Sequence, residues 1–306
     1  MNRHTYRIFA ALLAILTVFS LAACTGEQGE QRAIATDPAG SAQPVEATNA
    51  PASSDAAAAE AEIEEQQCFD FNGLTVTAKE LKNDSIWGDG VRFEIANNAD
   101  KDYAVSTRAV IVNNCMVDAF WSATVAAGKK ANETMWLSSS DLEAAGIDNI
   151  GQVEIYFYVY DTETYQTVYE AECVTIKTSL YTQMDTTVDN AGKTLYEEGG
   201  IRIVGKYVDE NTFWGSAVLL LIENNSGRNI SVSCDDMSIN GYMVTGLFSA
   251  SVYDGKYVFD TVSVLSSDLE ENGIESIRDI ELKFRIYDCD TYATIANTDA
   301  ISFTVE

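Results

Sequence analysis

Thiols and carboxylates are the side chains here whose number and placement invite a chemical reading. Cysteines stand at Cys24, Cys68, Cys115, Cys173, Cys234 and Cys289, and 47 acidic residues outnumber 19 basic ones. Acidic pairs fall in short turns, Asp161 with Glu163 and Asp288 with Asp290, and Asp235-Asp236 lies in a strand-like stretch. Calcium takes roughly six to eight hard oxygens, so two carboxylates on a hairpin tip supply too few. Solvated turns account for them better. No cysteine spacing fits a zinc site, so neither metal nor cofactor is expected. The lone histidine, His4, sits in the first few residues. Without an imidazole in the rest of the chain, His-based triads, His metal sites and the commonest general base are missing. No Gly-rich phosphate loop, no serine nucleophile beside a base, and no carboxylate pair in a suggestive context turns up. Catalysis is not expected.

These residues are positioned by a duplicated unit. Sliding the chain along itself by 127 positions aligns Leu74 to Lys177 with Ile201 to Thr304 without a gap. Trp87-Gly88 meets Trp214-Gly215, Asn97-Asn98 meets Asn224-Asn225, Asn113 meets Asn240, and Tyr160-Asp161 meets Tyr287-Asp288. An offset that long suits a self-sufficient domain and is too long for a solenoid unit. Each copy opens on a hairpin, Asn72-Gly73 in the first and Gly199-Gly200 in the second, dipeptides that supply the positive φ of two-residue turns. Alternation such as Val91, Phe93 and Ile95, or Val153, Ile155, Phe157 and Val159, predicts half-buried strands. One short helix is predicted per copy, from the capping box Ser140-x-x-Glu143 with Gly146 as C-cap, repeated at Ser267, Glu270 and Gly273. Seven or eight short strands with regular turn signals predict an all-β fold. The rhythm resembles the immunoglobulin-like extracellular domains of uncharacterised bacterial surface lipoproteins, here as two tandem antiparallel β-sandwiches, a likeness of fold that brings no ligand with it.

The N-terminus reads as an export device. Arg3 and Arg7 precede an uncharged, mostly apolar run from Ile8 to Leu21, too short for a membrane span of roughly 20 residues. Leu21-Ala22-Ala23-Cys24 resembles the lipobox of bacterial lipoproteins. That resemblance implies that Cys24 becomes the mature N-terminus and carries a diacylglycerol and an acyl chain such as palmitate. Several chains, at about 0.8 kcal/mol per buried methylene, anchor stably. Between Thr25 and Glu62 the only large apolar residues are Ile34 and Val45, so a disordered tether is expected, with an r.m.s. reach of roughly 35 Å. The organisation read from sequence is a signal peptide at 1–23, a lipidated tether at 24–66, one sandwich at 67–178, a linker at 179–193 and a second sandwich at 194–306.

The formal charge is −28, and losing Arg3 and Arg7 with the leader makes it two units more negative. Nucleic acid and anionic lipid surfaces are thereby disfavoured as partners, leaving the lipid anchor as the only membrane contact. Cysteines present in one copy and replaced together in the other behave as disulfide partners do. Export permits Cys68–Cys173 and Cys234–Cys289, with Cys115 free.

Differences between the copies point to function. Where the second copy has Ser263, Lys283 and Arg285, the first has Trp136, Tyr156 and Tyr158, all outward by strand parity. Such aromatics suit a platform for a protein or glycan ligand, although cross-strand packing or cover by the other domain is the plainer account. Leu219 and Leu221 replace Arg92 and Glu94, so Val218 to Ile222 is continuously apolar, which predicts packing between domains or self-association. Trp87 and Trp214, shared by both copies, are expected to plug the open end of each sandwich. The function expected is a lipid-anchored binding or adhesion protein on the extracytoplasmic face of the cell membrane. The alternative is a structural or envelope-assembly subunit acting through domain or self-association.

Overall fold

The structure, a computed structural model, describes residues 31–36 and 61–306. In the first repeat, β2 (Gln66–Phe71), β3 (Leu74–Asp84), β4 (Gly88–Asn97) and β8 (Lys129–Trp136) form an antiparallel sheet in the order β2-β3-β4-β8. Facing it are β5 (Tyr103–Val112), β6 (Cys115–Val117), β7 (Ser122–Val125), β9 (Gln152–Asp161), β10 (Thr167–Glu170) and β11 (Val174–Lys177). The second repeat does the same with β12 (Lys193–Glu198), β13 (Ile201–Thr212), β14 (Gly215–Asn224) and β18 (Lys256–Leu265) in one sheet. Its other sheet holds β15 (Ile230–Ile239), β16 (Tyr242–Val244), β17 (Ser249–Val252), β19 (Asp279–Asp288), β20 (Thr294–Asn297) and β21 (Ile301–Thr304). The fold is all-β, two immunoglobulin-like sandwiches in tandem.

Local chemistry explains why the register repeats. Asn72 and Gly73 have φ of 49° and 86°, and Asn240 and Gly241 have 51° and 83°, the doubly left-handed pair that a tight hairpin needs. The shared asparagines are internal staples. Asn97, fully buried, donates from Nδ2 to the carbonyls of Lys101 and Val125, both at 2.8 Å, and accepts from Ala99 N at 3.0 Å. Asn224 donates to Arg228 and Val252 carbonyls at 2.8 Å and accepts from Ser226 N at 3.1 Å. Asp161 and Asp288 likewise fold the acidic turns, Asp161 Oδ1 accepting from Glu163 and Thr164 N at 2.9 Å. Those N–H groups on Asp161, and the Thr291 and Asp290 N–H groups donating to Asp288 Oδ1 at 2.8 and 3.0 Å, hold the two carboxyls below the usual carboxylate range. Their oxygens are engaged in shaping the chain.

Each repeat has one short helix, α1 (Ser139–Ala144) and α2 (Ser266–Glu271). The expected cap at Ser140 is displaced by two residues. Ser138 is the N-cap of α1, its side chain accepting from Asp141 N at 3.3 Å, because Ser138 holds the extended backbone a cap requires while Ser140 is already helical. In α2 the same place is Leu265 and no side chain caps the helix. Gly146 and Gly273, at φ of 65° and 63°, reverse the chain just past each helix as expected.

The two sandwiches are not separate beads. β6 pairs in parallel with β18, Tyr257 opposite Cys115 and Val258 opposite Met116, so a single 11-stranded sheet runs through both repeats. Leu219, Leu221, Tyr257 and Phe259 of the second repeat pack into the core of the first, while Ala109, Ile111 and Met116 of the first pack into that of the second. Lys256 bridges the seam, ion-paired to Glu154 and donating to Asn114 Oδ1 at 3.2 Å. This is the cover that the apolar run Val218 to Ile222 required. Away from the seam the same positions are polar. The first repeat has Arg92, Glu94, Lys130 and Asn132 where the second has those four apolar residues. The second has Asp236, Ser238 and Lys283 where the first has Ala109, Ile111 and Tyr156. Much of the outward divergence between copies therefore follows from a joint made once: apolar where the repeats meet, charged where they face water.

The expectation of a disordered tether from 24 to 66 is corrected where the structure describes it. Gln31–Ala33 form β1, paired with β13 (Gln31 opposite Asp209, Arg32 opposite Val208, Ala33 opposite Tyr207), and Ile34 bridges to Val305. Ile63 bridges to Thr178 in the first repeat. Average composition hid a single well-placed isoleucine, Ile34, which is 3% exposed. Cys24 and the rest of that stretch lie outside the described residues.

Candidate interaction surface

Trp136, Tyr156 and Tyr158 do not form one surface. Trp136 lies on β8, in the sheet with β2, β3 and β4, and its ring lies against Gly90, where an added Cβ would come within 2.6 Å of Cε3. Tyr156 and Tyr158 are on β9, in the opposite sheet. Strand parity correctly makes all three outward, but it does not say which sheet a strand joins, and the two outer faces point apart. Tyr156 is drawn into the seam, its ring 4.9 Å from that of Tyr253 in an edge-on contact. Burial, followed by the Cys173 thiol, raises its phenol above the usual range.

What remains on the outer face of the first repeat is built from Arg108, Tyr158 and Tyr160. The Arg108 guanidinium carbon lies 4.1 Å from the centre of the Tyr158 ring, and Tyr158 and Tyr160 stack with centroids 6.0 Å apart. Arg108 Nη2 also donates to Glu170 Oε1 at 2.8 Å. β9 supplies the tyrosines two residues apart, which the pleat puts on one face, and β5 and β10 flank it with Arg108 and Glu170. The result is a flat π surface with a fixed, exposed cation and spare hydrogen-bonding groups. Arg108 and Tyr160 were missed from sequence; the signal for Tyr160 was simply its place two residues after Tyr158.

The tryptophans shared by both repeats do not plug the sandwich. Ile86 and Trp87 are 78% and 52% exposed, and Phe213 and Trp214 are 84% and 65% exposed. Each pair sits at the tip of the long hairpin β3–β4 or β13–β14. Strands of ten or more residues carry these rings past the end of the core. Phe213 and Trp214 pack only edge-on against one another, 4.9 Å between centroids.

The proposed disulfides are absent: Cys68, Cys115, Cys173, Cys234 and Cys289 are all free thiols. Cys289 N donates to the carbonyl of Asn229, five residues before Cys234 on extended chain, a separation of about 16 Å that no disulfide spans. The Cys173 thiol reaches Tyr156, whereas Cys68 lies in the opposite sheet against the backbone of Gln66. Burial pushes Cys68 and Cys234 up to about 11 and Cys115 up to about 12, so none is an activated nucleophile.

At the seam, Asp118, Asp141 and Asp260 line a cavity of about 290 Å³ together with Arg108. Burial, and next to it the charges of Asp118 and Asp141, push Asp260 up to about 6 even though Thr261 N donates to it. Asp141 Oδ2 accepts from the backbone N of Asp118 at 2.8 Å, and the carboxyls of Asp118 and Asp260 share the cavity with it. Among the described residues no cluster of His, Cys, Asp or Glu could hold a metal ion, and no helix is long and apolar enough to cross a membrane.

Comparison with known proteins finds no matching family model and no matching curated protein. Among solved structures, a Salmonella enterica SafA pilin in complex with the SafB chaperone (Type I) is similar over 70% of this chain and 88% of that one. The identity is 13% and the TM-score 0.20. At that score the likeness carries no argument about partners or role.

Proposed function

We propose that the chain is a lipid-anchored, non-enzymatic binding protein on the extracytoplasmic face of the cell membrane. Cys24 carries the lipid, and the first repeat meets a protein or glycan partner through Arg108, Tyr158 and Tyr160. The observation that carries the binding role is the guanidinium stacked 4.1 Å over an outward tyrosine that itself stacks on a second. Tyr and Arg are the residues that most often carry interface energy, because rigid rings bring large contact area at small entropic cost. Arg108 also lines the seam cavity, while its guanidinium reaches out over the Tyr158 ring. The lipobox-like Leu21-Ala22-Ala23-Cys24 and the apolar run before it support the anchor.

Two experiments test this. Cys24→Ala should abolish incorporation of labelled palmitate; full incorporation refutes the anchor. A photo-reactive amino acid at Thr167, opposite Tyr160, should yield a discrete adduct on intact cells that disappears when Arg108→Glu and Tyr158→Ser are combined. An adduct that survives both changes refutes the surface.

A further inference from the structure

The strand β1 does for the second repeat what a neighbouring segment does for the first. Ala33 O accepts from Glu306 N at 2.8 Å, Ala35 N donates to Thr304 O at 2.9 Å, and Ile34 lies opposite Val305. In the first repeat, 127 positions earlier, Glu62 O accepts from Ser179 N at 2.8 Å and Ile63 lies opposite Thr178. Residues 33–35 thus occupy the place that 62–64 occupy in the first repeat. There, however, 62–64 run straight into β2. The stretch aligned with them in the second repeat, Asp189 to Ala191, is engaged elsewhere: Lys206 Nζ donates to Asp189 Oδ2 at 2.9 Å and Arg202 Nη1 to Asn190 Oδ1 at 2.9 Å. The second repeat is closed by a strand from outside its own sequence.

The slot is shaped for that strand. Ile34 is 3% exposed, and Gly205, where the first repeat has Ala78, makes its room; a Cβ there would lie 2.8 Å from Ile34 Cδ1. Arg32 clamps the segment, donating from Nη1 to Ser276 Oγ at 3.0 Å and to the Ile277 carbonyl at 2.8 Å. Its Nε donates to the Glu306 carbonyl at 3.0 Å, and it pairs with Glu210.

We propose that this slot is a strand-exchange site between copies of the chain, in which residues 31–36 of one copy close the second repeat of another. Residues 37–60 separate the strand from the first repeat, and none of the contacts above uses them. The same segment from a neighbour therefore makes the same hydrogen bonds, the same ion pair and the same isoleucine burial. Exchanging an identical element is a low-cost route to association, and which copy refills an opened slot is set by the bulk concentration of chains against the effective concentration of the chain's own tethered strand. One buried side chain and a three-residue ladder also open far more readily than a core strand. An opened slot leaves a bare strand edge at β13, a ready template for another strand. The inference depends neither on the lipid anchor nor on the Arg108 surface.

The test uses full chains. One tagged version carries Gln31→Cys and a second, differently tagged, carries Asp209→Cys, positions directly opposite in the β1–β13 ladder and within reach of a disulfide. On mixing and mild oxidation, the expected result is a mixed-tag disulfide dimer whose yield rises with chain concentration and is lost when Ile34→Asp is added. Unlinked chains at every concentration, while the double variant in one chain closes on itself, overturn the proposal in favour of own-strand occupancy alone. A dimer that persists with Ile34→Asp overturns it as adventitious thiol chemistry. A double variant that fails to close removes the seated strand on which it stands.

Discussion

Asp260 puts the seam on a pH scale. Its carboxyl is raised from 3.8 to about 6, chiefly by burial and then by Asp118 and Asp141. A raised carboxyl stabilises the fold when protonated; that contribution is complete below the unfolded value and is lost as pH rises through about 6. Roughly two pKa units at 1.36 kcal/mol each set a ceiling of about 3 kcal/mol, and partial solvent access reduces it to about 2 kcal/mol. Asp260→Asn keeps an oxygen for Thr261 N, which donates to Oδ1 at 2.6 Å, and removes the charge. The variant should be more stable than the parent by about 2 kcal/mol at pH 7.5, with the gap narrowing to under about 1 kcal/mol at pH 4.5 and closing only below the unfolded value. Asp118, also raised by burial and by Asp141, leaves a smaller slope of the same sign. Urea unfolding followed by tryptophan fluorescence at pH 4.5, 5.5, 6.5 and 7.5 reads the difference directly. Equal stability at pH 7.5, or parallel pH dependence of the two proteins, would refute the placement of a charged Asp260 in the seam.

Three further outcomes follow from the packing. Asn97→Ala and Asn224→Ala each strip three hydrogen bonds from buried or part-buried backbone groups, and each should cost about 2–3 kcal/mol by denaturation; a loss under about 1 kcal/mol argues that water replaces the amide. Trp121 is buried with Nε1 lacking any partner, and the second repeat has Phe248 at that place. Trp121→Phe should therefore stay within about 1 kcal/mol of the parent, well short of the usual cost of trimming a core tryptophan. Phe213→Ser with Trp214→Ser should change stability by no more than about 0.5 kcal/mol because both rings stand in solvent, and a larger loss in a melting experiment means that they pack on something.

Local signals were read well. Alternation located the strands, and Asn72-Gly73 and Gly199-Gly200 located the hairpins, because a pleat and a positive φ leave marks within a few residues. Asn97, Asn113, Asn224 and Asn240 were seen as turn residues. Their larger role as staples needs partners up to 39 positions away, as when Asn240 Oδ1 accepts from Asp279 N. Features that depend on distant pairing left no such mark. Which sheet receives β8 decides whether Trp136 shares a face with Tyr158, and periodicity is silent on that choice. The exposure of Trp214 depends on how far β13 and β14 outrun the core. The seam was half legible: the apolar run at Leu219 and Leu221 asked for cover, and the first repeat provides it. Ile34 stands out as a large apolar residue in a polar stretch, but one side chain in a three-residue strand has no period to mark it as buried.

The docking of Arg32 and Ile34 also fixes what a lipid on Cys24 would moor. Seven peptide steps lead from Cys24 to Gln31, and drawn out straight they reach about 25 Å. A chain held at Cys24 is therefore moored through its second repeat, on which β1 docks, although that repeat comes last in the sequence. Stand-off from the bilayer is then set by the few residues before Gln31. Inserting residues between 37 and 60 would leave the height of the second repeat unchanged, while inserting them between 25 and 30 would lift the whole molecule.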